Sequence, residues 1–333
     1  MIKLNSRQRR IIRIGAVILL IVLIFALAFI LLRHWEQTKG VFSGSSSNTS
    51  TDSILEYQGE EFVENNNIET ILLMGLDKFS EEVDNSSYTN NQQSDFVMLL
   101  AIDNAKKSCT AVHINRDTIT DINVLGVAGQ KIDTVKGQLA LSYAYGDGDK
   151  VSCRNTVDSV SNIIFGAHID HYISLTMDAV PVFNDMVGGV EVEVLDDFSN
   201  IDETLVKGEK ITLLGDHALN YVRSRYNLED STNGRRMERQ KQYLNALYNK
   251  TKLCIQNNEE FIAKSALEIS EYMVSDCSVT RLQEIMEKVS SYEFTEIKTL
   301  PGESKMGAEF VEFYVDEEAT KKLVVDLLFK LKE

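Results

Sequence analysis

The sequence predicts an α/β protein, or a closely related α+β protein, in which helices flank one central mixed sheet as an α-β-α sandwich, preceded by one N-terminal transmembrane helix. Strand-like and helix-like hydrophobic patterns interleave from Ile68 onward, which is typical of helices layered on one sheet. No internal repeat interrupts this pattern. A single stretch of 19 residues without charge or proline, Ile14 to Leu32, precedes it.

The apolar stretch has the length and flanking charge of a membrane anchor. As a helix it would be about 28 Å long, close to the hydrocarbon thickness of a bilayer of about 30 Å. Five basic residues precede it, which predicts a cytoplasmic N-terminus, a single pass through the cell membrane and an extracytoplasmic body. A cleaved signal peptide is the alternative, but such a segment is shorter and ends at small residues, whereas this one ends at Leu31, Leu32 and Arg33.

The charge distribution excludes one class of partner. The chain carries a formal net charge of −16, and because its first 40 residues carry +6, the remaining 293 carry −22. An acidic body of this kind does not bind nucleic acid, which requires neutralisation of phosphates. Four cysteines, none in C-x-x-C spacing, favour free or structural thiols, and any of three disulfide pairings remains open: Cys109, Cys153, Cys254 and Cys277.

Composition divides the chain into five parts. We predict a cytoplasmic tail over residues 1–13, the transmembrane anchor over 14–32 and a flexible extracytoplasmic linker over 33–67, whose Gly/Ser/Thr-rich segment 40–53 is followed by an irregular polar segment 54–67. A catalytic core follows over 68–250. Residues 251–333 are predicted to form a C-terminal α/β extension packed on that core.

Within the body the elements follow from hydrophobic spacing. Continuous or alternating apolar runs predict the strands, and spacings of three and four residues predict the helices. The predicted strands are Ile71–Leu76, Phe96–Ile102, Ser108–Asn115, Ile169–Leu175 and Val190–Val194. The predicted helices are 138–145, 152–166, Asp178–Val187, Gly215–Arg225, Arg236–Lys250 and Asp316–Leu331.

Arginines at one helix junction indicate an anion site. Arg223 and Arg225 end one predicted helix, and Arg236, Arg239 and Gln240 open the next with spacings that place them on one face. A solvated basic face is the simpler interpretation. However, the body is acidic, arginine grips phosphate oxygens in a planar fork, and the N-terminus of a helix favours anions.

Acidic residues at strand ends could hold a hard cation. Asp77 closes the first predicted strand and Asp95 opens the second. Carboxylates in that position suit Mg²⁺, although aspartate also commonly caps turns. The pair Arg116 and Asp117 follows the third strand and could form a structural ion pair or orient the arginine toward a ligand.

The order of these motifs resembles the LytR–CpsA–Psr family of cell-wall glycopolymer transferases. The resemblance covers residues 68–331 and the N-terminal anchor, and it depends on the order and spacing of many short pieces. They include Leu72-Leu-Met-Gly-Leu-Asp77, Ser94-Asp95, Asn115-Arg-Asp-Thr118, Met186-Val-Gly-Gly-Val190, Leu214-Gly-Asp-His-Ala-Leu219, Tyr221-Val-Arg-Ser-Arg225 and Arg236-Met-Glu-Arg-Gln240.

This resemblance implies that the domain binds a polyprenyl-pyrophosphate-linked glycopolymer beside the bilayer and transfers it to peptidoglycan with Mg²⁺ or Mn²⁺. The lipid tail would enter an apolar pocket between sheet and helices. The resemblance assigns Asp77 and Asp95 to metal binding and base catalysis, with Arg116 as a further catalytic residue. It assigns pyrophosphate binding to Arg116, Arg223, Arg225, Arg236 and Gln240, with Arg239 as a nearby support.

The sequence departs from the family pattern at three positions. Phe79 and Gln93 stand where the family usually has arginine, and Asp133 stands where it usually has asparagine. Two cationic partners of the pyrophosphate are therefore missing. This keeps two alternatives open: a lipid-phosphate-binding regulatory protein without turnover, and a polyprenyl pyrophosphatase.

Overall fold

The computed structural model describes residues 54–78, 83–84, 88–258 and 260–332. The predicted tail, the membrane anchor Ile14–Leu32, linker residues 33–53 and Phe79 lie outside these residues. None of the helices within the described part is long and apolar enough to cross a bilayer.

The described elements are short strands and seven α-helices. The strands are β1 Leu55–Tyr57, β2 Glu60–Glu64, β3 Ile68–Leu76, β4 Val83–Asp84, β5 Thr89–Asn90, β6 Ser94–Asp103, β7 Ser108–Ile114, β8 Ile119–Leu125, β9 Lys131–Gln138, β10 His171–Thr176, β11 Val190–Glu193, β12 Lys210–Leu213, β13 Met273–Ser275, β14 Glu293–Thr299, β15 Gly302–Met306, β16 Val311–Val315 and β17 Phe329–Leu331. The helices are α1 Lys150–Ile163, α2 Ala179–Met186, α3 Asp216–Arg223, α4 Asn233–Asn257, α5 Phe261–Glu268, α6 Val279–Ser291 and α7 Glu317–Leu328, with 3₁₀ turns at Leu139–Ala144 and Ser270–Tyr272.

The centre of the fold is a six-stranded mixed sheet with the order β13-β10-β3-β6-β7-β14. Strand β3 is parallel to β10 and antiparallel to β6, and β7 is antiparallel to β6 and parallel to β14. The predicted central mixed sheet is therefore confirmed, together with the predicted strands around Ile71, Phe96 and Ser108.

Helices cover both faces of this sheet because its central strands are apolar on both sides. Along β6, Val97, Leu99 and Ala101 enter one core, which contains residues of α1 and α7. The alternate residues Met98, Leu100 and Ile102 enter a second core, where Ile285 of α6 packs against them. The alternation of side chains along a strand thus produces the predicted arrangement of helices, sheet and helices.

A third core lies outside the central sheet. The hairpin of β11 and β12 packs its alternate residues Val190, Val192 and Leu213 against α3 and α4, and Phe198 and Tyr221 stack there at 5.6 Å. This core fixes the two helices that carry most of the predicted phosphate-binding residues.

Two predictions about domain organisation are corrected by the structure. The linker was expected to remain irregular through residue 67, but β1 and β2 pair with each other, and β2 pairs with β17 at the C-terminus. The segment after residue 250 was expected to be an extension packed on the core. It instead supplies both edge strands of the central sheet, β13 and β14, so the sheet is completed only by residues after 250.

Candidate anion-binding site

Strand topology gathers three of the predicted site residues at one end of the sheet. Because β6 is antiparallel to both of its neighbours, its start lies beside the ends of β3 and β7. Leu76 pairs with Ser94, and Val97 pairs with Ile114. Asp77, Asp95 and Arg116 follow or adjoin these residues, so they meet at the same edge although they are far apart in sequence.

The loop between α3 and α4 brings the other arginines to this edge. Arg223 is the last residue of α3, and its guanidinium forms an ion pair with Asp77. Arg236 lies in the first turn of α4, where one of its Nη atoms donates to the backbone oxygen of Asp95 at 3.2 Å. The two helices therefore approach the sheet end from the same side.

Arg239 and Gln240 hold α3 against α4. The last carbonyls of a helix lack partners within it. Arg239 donates through Nε to the Tyr221 oxygen at 2.9 Å and through Nη2 to the Ser224 oxygen, and Gln240 donates to the Val222 oxygen at 3.1 Å. These two side chains thus cap the C-terminus of α3. They thereby fix the backbone that carries Arg223 and Arg225.

Arg239 is completely buried, which limits what it can do. Its remaining nitrogen pairs with Asp196, which is 3% exposed and also binds Arg235 at 2.7 Å. Its guanidinium lies 5.4 Å from the centre of the Phe198 ring. With its guanidinium directed to protein groups and no exposed surface, Arg239 lies in this structure as an internal support behind the other arginines.

Arg116, Arg225 and Arg236 form a cationic cluster around Asp117. Burial and the repulsion of Arg116 and Arg225 lower the pKa of Arg236 to about 10. Burial and the repulsion of Arg225 also lower the pKa of Arg116, although Asp117 opposes this. Burial raises the pKa of Asp117, against the attraction of all three arginines. Asp117 pairs with Nε of Arg116 at 3.5 Å. The pKa shifts show that all three guanidinium groups act electrostatically on this carboxylate, and that Arg116 and Arg225 act on Arg236.

Arg236 is the most deeply buried arginine of this cluster. It is 5% exposed, and its Nη2 atom donates to the side-chain oxygen of Asn233 at 2.6 Å in addition to the Asp95 backbone oxygen. Its Nε is buried and lacks a hydrogen-bond partner among the residues described. A buried cation held only by neutral acceptors is unfavourable unless an anion joins it.

The two predicted metal ligands are engaged by arginines. Asp95 forms an ion pair with Arg116, whose other Nη atom donates to the side-chain oxygen of Gln93 at 2.6 Å. Asp77 pairs with Arg223, and both side chains are half exposed. Gln93, the residue that replaces a family arginine, therefore binds Arg116 as a neutral acceptor.

Some residues of this site escaped the sequence analysis. Asn115, which the sequence places in a motif but without a role, and Asn233 are buried and bonded to each other at 2.7 Å across 118 residues. Asp196 pairs with Arg235 and Arg239 from a loop after β11. The cysteines agree with the expectation of free thiols, since all four are unpaired.

Fold and site together define a class: an α-β-α protein that presents clustered arginines and two aspartates at one end of a mixed sheet, as an enzyme or receptor for phosphorylated ligands would. The sequence profile of the LytR-cpsA-psr family matches residues 37–327. The chain belongs to this family.

Two relatives carry names that state an activity. TagV of Bacillus subtilis, a polyisoprenyl-teichoic acid–peptidoglycan teichoic acid transferase, is 29% identical over 238 residues, which are 69% of this chain and 55% of that protein. TagU of Enterococcus faecalis, of the same descriptive name, is 27% identical over 280 residues, 82% of each chain. The match thus spans only about half of the length of the first relative.

Solved structures share the fold. The crystal structure of Bacillus subtilis TagV matches with a TM-score of 0.60 at 23% identity, over 79% of this chain and 97% of that one. TagT bound to LIIa-WTA matches with a TM-score of 0.59 at 20% identity, over 79% of this chain and 90% of that one.

Proposed function

We propose that this protein is a membrane-anchored transferase that moves a polyprenyl-pyrophosphate-linked glycopolymer of the teichoic acid or capsule kind onto peptidoglycan. The observation that carries the proposal is the cluster of Arg116, Arg225 and Arg236 at the sheet end that also bears Asp77 and Asp95. Membership in the family and the transferase names of TagV and TagU agree with it.

The charges of the cluster suit a diphosphate. Arg236 is buried without an acidic partner among the described residues, and Arg116 and Arg225 repel it. A diphosphate ester would supply negative charge and hydrogen-bond acceptors to the three guanidinium groups. Transfer of a phosphoryl group depends mainly on positioning and charge neutralisation, which this cluster provides.

Asp77 and Asp95 fit a magnesium or manganese ion by the chemistry of their donors. Two carboxylates on neighbouring strand ends offer the oxygen ligands that these cations prefer, and such ions retain several waters. When bound, the cation would neutralise charge on the diphosphate. In this structure Arg116 and Arg223 neutralise these carboxylates, and the same two guanidinium groups are available to phosphate oxygens at this sheet end.

The reaction requires one bond to form and one to break. A peptidoglycan hydroxyl attacks the phosphorus that carries the glycan, the bond between this phosphorus and the bridging oxygen breaks, and polyprenyl phosphate leaves. The hydroxyl proton passes to a carboxylate, for which Asp77 and Asp95 are the candidates. Arg225 and Arg236 hold the charge that develops on the leaving phosphate.

The apolar side of the site would take the lipid. Leu73, Phe96 and Ile173 of the sheet and Leu244 of α4 are only partly buried at the border of the core that lies between sheet and helices. In this proposal, that border is the apolar surface that a polyprenyl chain occupies. An anchor at residues 14–32 would keep this surface on the outer side of the cell membrane.

The proposal is tested with the full chain in detergent, polyprenyl-pyrophosphoryl saccharide, peptidoglycan fragments and Mg²⁺. We expect a phosphodiester-linked product, detected by mass spectrometry, and its loss in Arg225→Ala. Release of saccharide phosphate without linkage would identify a pyrophosphatase instead. Tight retention of the lipid donor with no product under any divalent cation would identify a binding protein.

A further inference from the structure

Arg236 is held by a pair of buried asparagines that come from two distant parts of the chain. Asn233 accepts a hydrogen bond from Nη2 of Arg236 at 2.6 Å and donates one to the side-chain oxygen of Asn115 at 2.7 Å. That same oxygen of Asn115 accepts from the backbone nitrogen of Asp117 at 2.9 Å. Both asparagines are less than a tenth exposed.

The direction of these bonds is fixed by the backbone. The backbone nitrogen of Asp117 can only donate, so Asn115 must present its oxygen to it. Asn233 must then direct its amide nitrogen to Asn115, which leaves its oxygen for Arg236. Only one orientation of both amides satisfies every contact, so the guanidinium has one preferred direction.

The neighbouring arginine on the same helix face is held in a different way. Arg239, three residues later and also buried, is paired with the carboxylate of Asp196. Arg236 is bound instead by an amide oxygen and by the backbone oxygen of Asp95. A carboxylate partner cancels most of the charge of an arginine, whereas neutral acceptors fix its direction and leave that charge available.

We propose that Asn233, supported by Asn115, is a positioning residue that aims Arg236 at the diphosphate while leaving its charge uncancelled. This rests on the proposed function, because it requires that an anion binds at the arginine cluster. Asn233 and Asn115 would then affect ligand binding only by orienting Arg236.

The test measures the affinity of the full chain in detergent for inorganic pyrophosphate by titration calorimetry. Asn233→Ala should weaken binding about tenfold, as expected when a hydrogen bond to a charged group is lost. Asn155→Ala is the matched control: Asn155 is also buried, and it binds the backbone oxygens of Asn123 and Ser142 away from the arginines. This control should lower the thermal midpoint without changing the pyrophosphate affinity.

A double-mutant cycle separates positioning from general structural support. In an Arg236→Ala background, Asn233→Ala should cause no further loss of affinity. Asn233→Asp, of nearly the same shape, provides a second variant that does not depend on the folding of the alanine variant. It should also weaken pyrophosphate binding, because its carboxylate pairs with Arg236.

Three results would overturn the inference. The first is wild-type affinity in both Asn233 variants, and the second is an independent loss from Asn233→Ala when Arg236 is absent. In either case wild-type pyrophosphate binding would leave the proposed function intact. The third is failure of the wild-type chain to bind pyrophosphate, which would remove the anion site and the positioning role together.

Discussion

Arg225 and Arg239, two arginines of this site, differ in how far their side chains are exposed to solvent. Arg225 is partly exposed and stacks on Tyr226 at 4.8 Å, with one hydrogen bond to that tyrosine hydroxyl. Arg239 is fully buried and joins Asp196 to the end of α3. The guanidinium of Arg225 is therefore available to a ligand, whereas that of Arg239 is neutralised within the fold by Asp196.

We expect this difference to separate stability from activity. Arg239→Ala should lower the free energy of unfolding by about 3 kcal/mol, since it leaves the buried Asp196 with Arg235 alone. Arg225→Ala should change it by less than about 0.5 kcal/mol and abolish transfer. Urea denaturation and the transfer assay on both variants check this. Global unfolding of Arg225→Ala would show that Arg225 is structural.

His113 is a buried histidine that contributes a pH dependence. Its ring packs on that of Phe96, with the ring centres 4.8 Å apart. Burial first, and then the repulsion of Arg236 and Lys241, lower its pKa from 6.5 to about 3. Between these values the unfolded chain binds a proton that the folded chain does not, so this histidine lowers the free energy of unfolding progressively as the pH falls from 6.5 toward 3 and has no such effect above 6.5.

The variant His113→Gln should remove this dependence, because glutamine does not titrate. The free energy of unfolding of the wild type should therefore fall more steeply below neutral pH, by up to about 1.4 kcal/mol per pH unit relative to the variant. Urea denaturation at a series of pH values measures both slopes. Parallel curves would mean that His113 keeps its proton affinity in the folded chain.

At the level of elements, the first and last strands of the described residues meet in a small sheet. Strand β17 pairs with β2 through residues 62–64, and Phe329 is buried in the same core as α7 and the central sheet. The last strand thus connects the beginning of the described chain to the main core, and its apolar residue is the one that fixes it there.

Phe329→Ala should lower the free energy of unfolding by about 3 kcal/mol, because it leaves a cavity in that core. Lys330→Ala, on the next and exposed residue, is the control and should be nearly neutral. Thermal denaturation of both variants provides the comparison. Equal midpoints would mean that β17 is not anchored in the core.

The same strand shows where prediction from sequence ends. The strands at Ile71, Phe96 and Ser108 were predictable because a sheet buried on both faces requires continuous apolar runs. Strands β1 and β2 were not, because β1 is ordered by pairing with β2, and β2 by pairing with β17, more than 260 residues later in the sequence. Likewise, helix spacing placed Arg236 and Arg239 on one face, but only tertiary contacts reveal that Asn233 holds the first and Asp196 the second.

For the molecule as a whole, a small cationic site lies in an acidic body. The formal net charge of −16 makes the folded chain repel itself, and added salt screens that repulsion. The arginine cluster is locally positive, so an anion should bind there although the net charge of the chain is negative. General screening and specific anion binding therefore both stabilise the fold, and they can be distinguished by the anion used.

We expect sodium chloride to raise the thermal midpoint modestly between about 0.02 and about 0.2 M as repulsion is screened. Pyrophosphate at equal ionic strength should raise it further, because binding to the folded state alone adds about 2.7 kcal/mol at 100 times the dissociation constant. Arg225→Ala should retain the chloride effect and lose the additional pyrophosphate effect. If pyrophosphate and chloride stabilise the wild type equally at matched ionic strength, the cluster does not bind a diphosphate, and the acidic body alone determines the response to salt.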